Sequence, residues 1–358
     1  MRRSSPAPNP LTADFSRVDW SRFDAATGLR AAFFALTPMV LGIATNQLNA
    51  GVISSIGALN EGVISALGAL NLNFQEGPAP SRTRLVASLT VGCLANAVAF
   101  SLGTVIGTTS TVVAAPLVAL GVFLAMLIRL GPGLESVGPT VAAVFTVGVG
   151  LPGGSVEAAG ARFWLMLAGG AWALLGGVLQ WWLGRASPPA GPVGAAQAPP
   201  RSSILLHSLA VGVTAALGLG VAQMAGLSRD YWVMFTVVLS LRATPAQTAS
   251  FTFMRIAGTV AGAIVALVVT LGTGNVLALF AFLCVFSFLM FATRSVNLVV
   301  FVFFLTAFII ILLNIAYPGS WDLALVRIVD VAIGGGLSLA ASAVMWLASA
   351  KSRSQHKV

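Results

Sequence analysis

Apolar stretches long enough to cross a lipid bilayer follow one another along this chain, separated by short polar loops. A membrane-spanning helix needs about 20 predominantly apolar residues. Only 8% of the 358 residues are charged, whereas a soluble domain carries about 25%. The sequence therefore predicts an all-α integral membrane protein with room for about twelve spans. We place these spans at residues 29–47, 52–73, 85–107, 111–129, 137–152, 160–183, 204–226, 230–247, 253–272, 275–293, 296–315 and 323–349.

Several scarce residues recur at a fixed offset of 165 positions, which indicates a tandem duplication. The matched pairs are Arg129 with Arg294, Arg162 with Arg327, and Trp181 with Trp346. Duplicated membrane units commonly surround a pseudo-twofold axis, with sites at the seam between them. We therefore expect two parallel six-helix repeats related by an axis along the membrane normal. The expected divisions are a tail at 1–28, a first repeat at 29–184, a linker at 185–203, a second repeat at 204–350 and a tail at 351–358.

Basic residues are distributed unevenly over the expected loops. With a cytoplasmic amino terminus, sixteen of the 19 Lys and Arg residues fall inside, and only Arg162, Arg229 and Arg327 fall toward the outside. This positive-inside bias predicts a bacterial inner-membrane protein with both termini cytoplasmic. The dispersed basic residues do not predict a nucleic-acid surface.

The sequence shows no Ser/His/Asp set, metal-ligand cluster or phosphate-cradling loop, so we expect neither an enzyme nor a metal or other cofactor. Cys93 and Cys284 both lie inside apolar runs and are expected to be small buried hydrophobes.

Charged residues inside the spans are the main candidates for function. Arg162 and Arg327 are the primary candidates for anion recognition, and Arg84 and Arg255 are secondary cations toward the cytoplasm. Asp330 lies three residues after Arg327, so the two side chains can meet on one helix face. Such a pair either neutralises Arg327 for membrane insertion or supplies a titratable group for proton coupling.

The second expected span contains an eleven-residue repeat, VISSIGALN followed by VISALGALN. This period aligns Asn60 with Asn71 along one helix face, where small and polar residues serve either close packing or a wet cavity. Glu61 interrupts this face, and it lies near the midplane or at the interface depending on where the span begins.

The stretch from Tyr231 to Leu267 resembles the fusaric acid resistance family, also called aromatic acid exporters. The resemblance covers residues 204–349 and rests on residues in the order YW, T, R, GT, G: Tyr231, Trp232, Thr236, Arg255, Gly258, Thr259 and Gly262. The aluminium-activated malate transporters of plants are distant relatives of that family. The resemblance implies export of organic anions, often aromatic carboxylates, across the inner membrane.

Three functions stay open on the sequence alone. The first is a carrier of organic acids in which Asp330 or Glu61 exchanges a proton, and the second is an anion channel in which arginines set the selectivity. The third is a membrane scaffold for partner proteins or lipids. Tyr231 and Trp232 are expected either to contact an aromatic substrate or to anchor the chain at the membrane interface. Self-association and a periplasmic adaptor protein also stay open.

Overall fold

The protein folds into α-helices in a computed structural model that describes residues 18–47, 50–57, 82–131, 134, 137–182, 200–316 and 322–355. Within these ranges we number the helices in chain order. They are α1 (Ala25–Ala44), α2 (residues 50–57), α3 (Arg82–Ile106), α4 (Thr111–Leu127), α5 (Val137–Gly150), α6 (Val156–Trp182), α7 (Arg201–Met224), α8 (Tyr231–Ser240), α9 (Pro245–Gly272), α10 (Val276–Thr293), α11 (Leu298–Ala316) and α12 (Leu323–Gln355). Two 3₁₀ turns, Trp20–Arg22 and Ile128–Leu130, precede α1 and follow α4.

Nine helices in the described part of the chain are long and apolar enough to cross a membrane. Their outer faces carry large exposed apolar side chains such as Val112 and Leu277, which suit contact with lipid. The prediction of an all-α, multi-pass membrane protein is confirmed. Helices α5 and α8 are shorter, and α8 is only about 15 Å long at 1.5 Å per residue.

The span expected at 230–247 is broken in the structure, and this boundary was predicted wrongly. Helix α8 ends at Ser240, and Leu241 takes up an extended conformation. Helix α9 then begins eight residues before the expected 253, because the Thr244 hydroxyl caps it by accepting from the Gln247 N–H and Pro245 occupies its first turn. The single turn between the two helices carries Arg242.

Helix pairs within and between the halves of the chain hold the bundle together. Helix α3 packs on α5 and α6, and α9 packs on α11 and α12. Contacts across the middle of the sequence join α4 to α7, α10 to α1, and α5 to α8. The start of α1 is tied to the end of α10, because the Asp24 N–H donates to the Ala292 carbonyl at 3.0 Å.

Glycine allows the closest of these approaches. A Cβ on Gly262 of α9 would lie 2.3 Å from the Phe303 carbonyl oxygen of α11. The small-residue spacing of Gly258 and Gly262 thus serves helix packing, as such spacing commonly does in membranes. Thr259 lies between them and is buried, with its hydroxyl 3.5 Å from that of Thr306.

Candidate functional site

Arg327, in the second turn of α12, lies against the indole ring of Trp232 at the start of α8. Gly334 permits this, because a Cβ there would lie 2.7 Å from both the Val233 carbonyl oxygen and the Thr236 Cβ of α8. With the helices this close, the Arg327 guanidinium carbon lies 4.1 Å from the centroid of the Trp232 ring. A guanidinium held over an aromatic face within about 6 Å is attracted by the negative charge of that face.

Helix α9 contributes a second guanidinium to the same place. The Arg255 guanidinium carbon lies 5.4 Å from the Phe235 ring centroid, and that of Arg327 lies 5.6 Å from the same centroid. Both arginines are almost fully removed from the surface, at 3% and 2% exposure. Two cations from different helices therefore share one aromatic ring in the protein interior.

Several polar atoms of this cluster have no hydrogen-bond partner among the residues that the structure describes. They are the Nε of Arg255, the Nε and Nη1 of Arg327, and both carboxylate oxygens of Asp330. A buried polar atom without a partner costs about 1–3 kcal/mol, and more when it is charged. The cluster therefore holds N–H donors that an additional ligand could satisfy.

Asp330 does not complete the pair that the sequence suggested. Its side chain is fully buried on α12, one turn beyond Arg327, but no hydrogen bond joins the two residues. The i, i+3 spacing places them on one face, yet Arg327 extends toward the Trp232 ring instead. Asp330 consequently acts on Arg327 as a nearby charge and not as a bonded partner.

Arg162 occupies a different environment from its counterpart Arg327. Its Nη2 donates to the Pro152 carbonyl at 2.5 Å, and its Nη1 donates to the Thr104 hydroxyl at 3.2 Å and to the Leu151 carbonyl at 3.4 Å. These bonds hold the loop after α5 against α3. The structure therefore brings together Arg327, Arg255, Asp330 and Trp232, and it places Arg162 outside that group.

A polar cavity of about 440 Å³ lies beside the loop that Arg162 holds. Thr104, Thr108 and residues 149–154 line it on one side, and Asp230, at the start of α8, lines it on the other. Arg327 is not among its lining residues. Tyr231 contacts both regions, because it packs directly on Gly150, beside the loop that Arg162 holds, while its ring lies 4.7 Å from that of Trp232.

The expectation that Tyr231 and Trp232 anchor the chain at the membrane interface is wrong. Their exposed fractions are 1% and 6%, so both rings are core residues of the protein. The reason is that α5, α7 and α12 all pack on α8. The position of Trp232 under Arg327 leaves open its other predicted role, contact with an aromatic substrate.

Some predicted site residues cannot be placed. Asn60, Glu61 and Asn71 lie outside the described residues, and the side chain of Arg84, in the first turn of α3, is not described. Two neighbours of the site were not predicted. Phe235 follows Trp232 by three positions on one helix, so this spacing could have predicted it. Arg242 was counted only among the basic residues expected on the cytoplasmic side.

Comparison with known proteins identifies relatives of the second half of the chain. Residues 215–341 match the sequence model of a family described as fusaric acid resistance protein-like. This match confirms the resemblance drawn from the Tyr-Trp, Arg and Gly-Thr residues, and it includes Trp232, Arg255, Arg327 and Asp330.

Two curated proteins are similar over about the same length. Inner membrane protein YccS of Escherichia coli is 24% identical over 147 residues, which is 41% of this chain and 20% of that protein. Uncharacterized protein ORF2 of Neisseria gonorrhoeae is 28% identical over 145 residues, which is 40% of this chain and 35% of that protein. No solved structure matches significantly. The chain is thus a multi-pass membrane protein that is similar, over residues 215–341, to fusaric acid resistance protein-like proteins.

Proposed function

We propose that this protein transports organic anions, most simply aromatic carboxylates, and that Arg255 and Arg327 bind the carboxylate. One observation carries the proposal: two buried guanidinium groups meet at the Phe235 ring, with N–H donors that lack a partner within the described ranges. The role is transport and not catalysis. The similarity to fusaric acid resistance protein-like sequences supports it.

Electrostatics favours an anion at this place. Arg255 and Arg327 interact with each other as like charges, and Asp330 opposes Arg327 with one negative charge. An ionised Asp330 therefore leaves the cluster with a net positive charge. A single cation at the centre of a membrane costs about 2.5–3.5 kcal/mol on insertion scales. A bound carboxylate would offset part of this cost and would satisfy the Nε and Nη1 donors.

The aromatic residues suit an aromatic substrate. Trp232 and Phe235 lie edge to face, with ring centroids 5.5 Å apart, and each contacts a guanidinium. A carboxylate on the arginines would place an attached ring against these two side chains. Such ring contacts contribute about 0.5–1.5 kcal/mol beyond the burial of area.

We propose that the two halves, 29–184 and 204–350, are parallel six-helix repeats around a pseudo-twofold axis, with both termini cytoplasmic. Matching helix contacts support this: α3–α5 corresponds to α9–α11, α3–α6 to α9–α12, and α4–α7 to α10–α1. In this orientation an inside-negative potential drives a monovalent anion outward by about 2.3 kcal/mol per 100 mV. Arg162 then belongs to the outer end of the seam, where its loop borders the cavity near Asp230.

Flux measurements test the proposal. The full-length protein would be reconstituted in liposomes loaded with radiolabelled benzoate, and efflux would be followed at a fixed potassium diffusion potential. We expect voltage-dependent efflux from the native protein and a loss of at least about tenfold in Arg255→Gln and Arg327→Gln, since each removes a charge-assisted contact.

The matched control is Arg201→Gln, which removes the same charge from an exposed position at the start of α7. It should leave efflux unchanged. Native protein that is monodisperse and yet gives no flux with a panel of aromatic and aliphatic carboxylates would refute transport and would favour the scaffold. Equal flux in all four proteins would refute the assignment of the site.

A further inference from the structure

Arg242 is fixed in the turn between α8 and α9. Its backbone N–H donates to the Thr248 hydroxyl oxygen at 3.0 Å, and its backbone carbonyl oxygen lies 3.3 Å from the same hydroxyl, which is fully buried. The guanidinium carbon lies 3.9 Å from the centroid of the Phe251 ring. Arg242 therefore stands on an aromatic face, as Arg327 stands on Trp232.

Arg242 shares a second property with the two arginines of the proposed site. The Nε atoms of Arg242, Arg255 and Arg327 are all buried, and none has a hydrogen-bond partner in the described part of the chain. Burial, and secondly the charge of Arg129, lowers the pKa of Arg242 to about 10. Arg242 is consequently still cationic at neutral pH, and within the described part of the chain no ion pair joins it to an acid.

Arg129 and His207 interact electrostatically with Arg242. His207 lies in the second turn of α7, and Arg129 lies in the 3₁₀ turn after α4. Helices α7 and α4 pack closely, because a Cβ on Gly212 of α7 would lie 2.5 Å from the Ala119 carbonyl oxygen of α4. His207 interacts electrostatically with both Arg129 and Arg242. Arg129, His207 and Arg242 come from three separate segments in both halves of the chain and lie close enough to interact electrostatically.

This place is linked to the proposed substrate site. Arg255 interacts electrostatically with Arg327 on one side and with Arg242 on the other. Trp232 and Arg242 flank the ends of α8, which is about 15 Å long. The three arginines thus form a series along α8 in which each guanidinium rests on an aromatic ring.

We propose that Arg242, together with His207 and Arg129, forms a second anion-binding site at the end of α8 opposite Trp232. Its ligand is an oxyanion, a carboxylate or a phosphate. As a step in transport, the site rests on the proposed function: it holds the anion at the cytoplasmic end of the seam before the anion reaches Arg255 and Arg327. As a binding site it rests on the geometry of Arg242, whose guanidinium lies over the Phe251 ring and whose buried Nε has no partner among the described residues.

Binding stoichiometry tests this inference independently of flux. Full-length protein in nanodiscs of phosphatidylcholine would be titrated with radiolabelled benzoate in equilibrium dialysis. We expect two benzoates per native chain, one in Arg242→Gln, and one in the Arg255→Gln, Arg327→Gln double variant. Arg242→Lys keeps the charge but loses the planar donors, so it should keep the second site with about tenfold weaker affinity.

A lipid arm separates the two sources of oxyanion. If nanodiscs containing phosphatidylglycerol abolish only the Arg242-dependent benzoate binding, the ligand in the membrane is a lipid phosphate. If benzoate still binds at Arg242 in these nanodiscs, the ligand is a soluble anion. Either result supports the site. Monodisperse Arg242→Gln protein that binds benzoate as the native chain does would overturn it. The Arg255→Gln, Arg327→Gln double variant separates a failure of this inference from a failure of the proposed function. It lacks the proposed substrate site, so any benzoate that it binds reports on the Arg242 site, even if the native protein carries no flux.

Discussion

Arg327 rests on the face of the Trp232 indole, 4.1 Å from guanidinium carbon to ring centroid, although both side chains are buried inside an apolar bundle. A cation in such surroundings depends on its aromatic partner for part of its stabilisation. Desolvated cation–π contacts contribute about 2 kcal/mol.

We therefore expect Trp232→Leu to lower the melting temperature of the purified protein and to weaken benzoate binding, whereas Trp232→Phe retains most of both. Thermal unfolding followed by intrinsic fluorescence, with and without benzoate, measures the two effects. Trp346→Leu is the control, because that indole is 53% exposed on the outer surface of α12. Equal effects of the two leucine substitutions would argue against the contact.

Asp330 distinguishes a coupled carrier from a channel. Its carboxylate is buried beside Arg327 and unbonded, so a change in its protonation changes the net charge of the site. In a carrier, Asp330→Asn should abolish the response of benzoate flux to an imposed pH gradient while flux driven by voltage persists. A channel would ignore the gradient both in the native protein and in the variant. Liposome flux at fixed voltage, measured with and without a gradient of two pH units, decides between the two.

Arg162 should act on a loop. Its guanidinium bonds the Leu151 and Pro152 carbonyls and the Thr104 hydroxyl, so Arg162→Gln removes contacts worth about 1–3 kcal/mol. We expect faster amide hydrogen exchange in residues 151–155 and little change around Arg255. Hydrogen exchange with mass spectrometry measures both regions. Unchanged exchange in the loop would show that these bonds do not hold it.

The packing of α9 on α11 should depend on Gly262. Gly262→Ala places a Cβ 2.3 Å from the Phe303 carbonyl oxygen, and overpacking of this kind typically costs about 1–3 kcal/mol. Gly272→Ala is a matched control at the end of the same helix, where no atom lies within 4 Å of the added carbon. A lower melting temperature is expected for the first variant only, and equal melting temperatures would contradict the close approach.

Asp24 should stabilise the start of α1 in a pH-dependent way. Its carboxylate accepts from the Thr27 N–H at 2.9 Å and from the Thr27 hydroxyl. Partial burial alone would raise the pKa of Asp24, but the Thr27 bonds and the charges of Arg30 and Arg294 together lower it below 3.8. This stabilisation is complete above 3.8, the pKa of Asp in the unfolded chain, and is lost as the pH falls through the lower pKa of Asp24 in the folded protein.

We expect Asp24→Ala to cost about 1 kcal/mol at neutral pH, whereas Asp24→Asn keeps the cap and loses only the acid dependence. Melting temperatures between pH 3 and pH 7 measure this. A melting temperature of Asp24→Ala equal to the native value at every pH would contradict the capping role, and a constant difference at every pH would contradict its acid dependence.

Sequence patterns predicted the helices of this protein better than its site. Runs of apolar residues are sufficient to locate a helix in a membrane, because the backbone must satisfy its hydrogen bonds internally there. Hydropathy did not predict the break between α8 and α9 after Ser240, because this break depends on the Thr244 cap.

The sequence predicted some residues of the site but not how they are grouped. Arg255, Arg327, Asp330 and Trp232 stand out as charged or aromatic residues in apolar surroundings, and the structure places them together. Their grouping depends on the distance between α8 and α12, which Gly334 sets and no sequence spacing reveals. The repeat also implied similar surroundings for Arg162 and Arg327. Arg162, however, donates to backbone carbonyls of the loop after α5, whereas Arg327 lies over the Trp232 indole.

Gly150 and Tyr231 join the two halves of the chain at a point with no spare space, because a Cβ on Gly150 would lie 2.4 Å from the Tyr231 Cβ. A residue larger than glycine at position 150 would therefore displace Tyr231 from α5 and would move the adjacent Trp232, the aromatic partner of Arg327, with it.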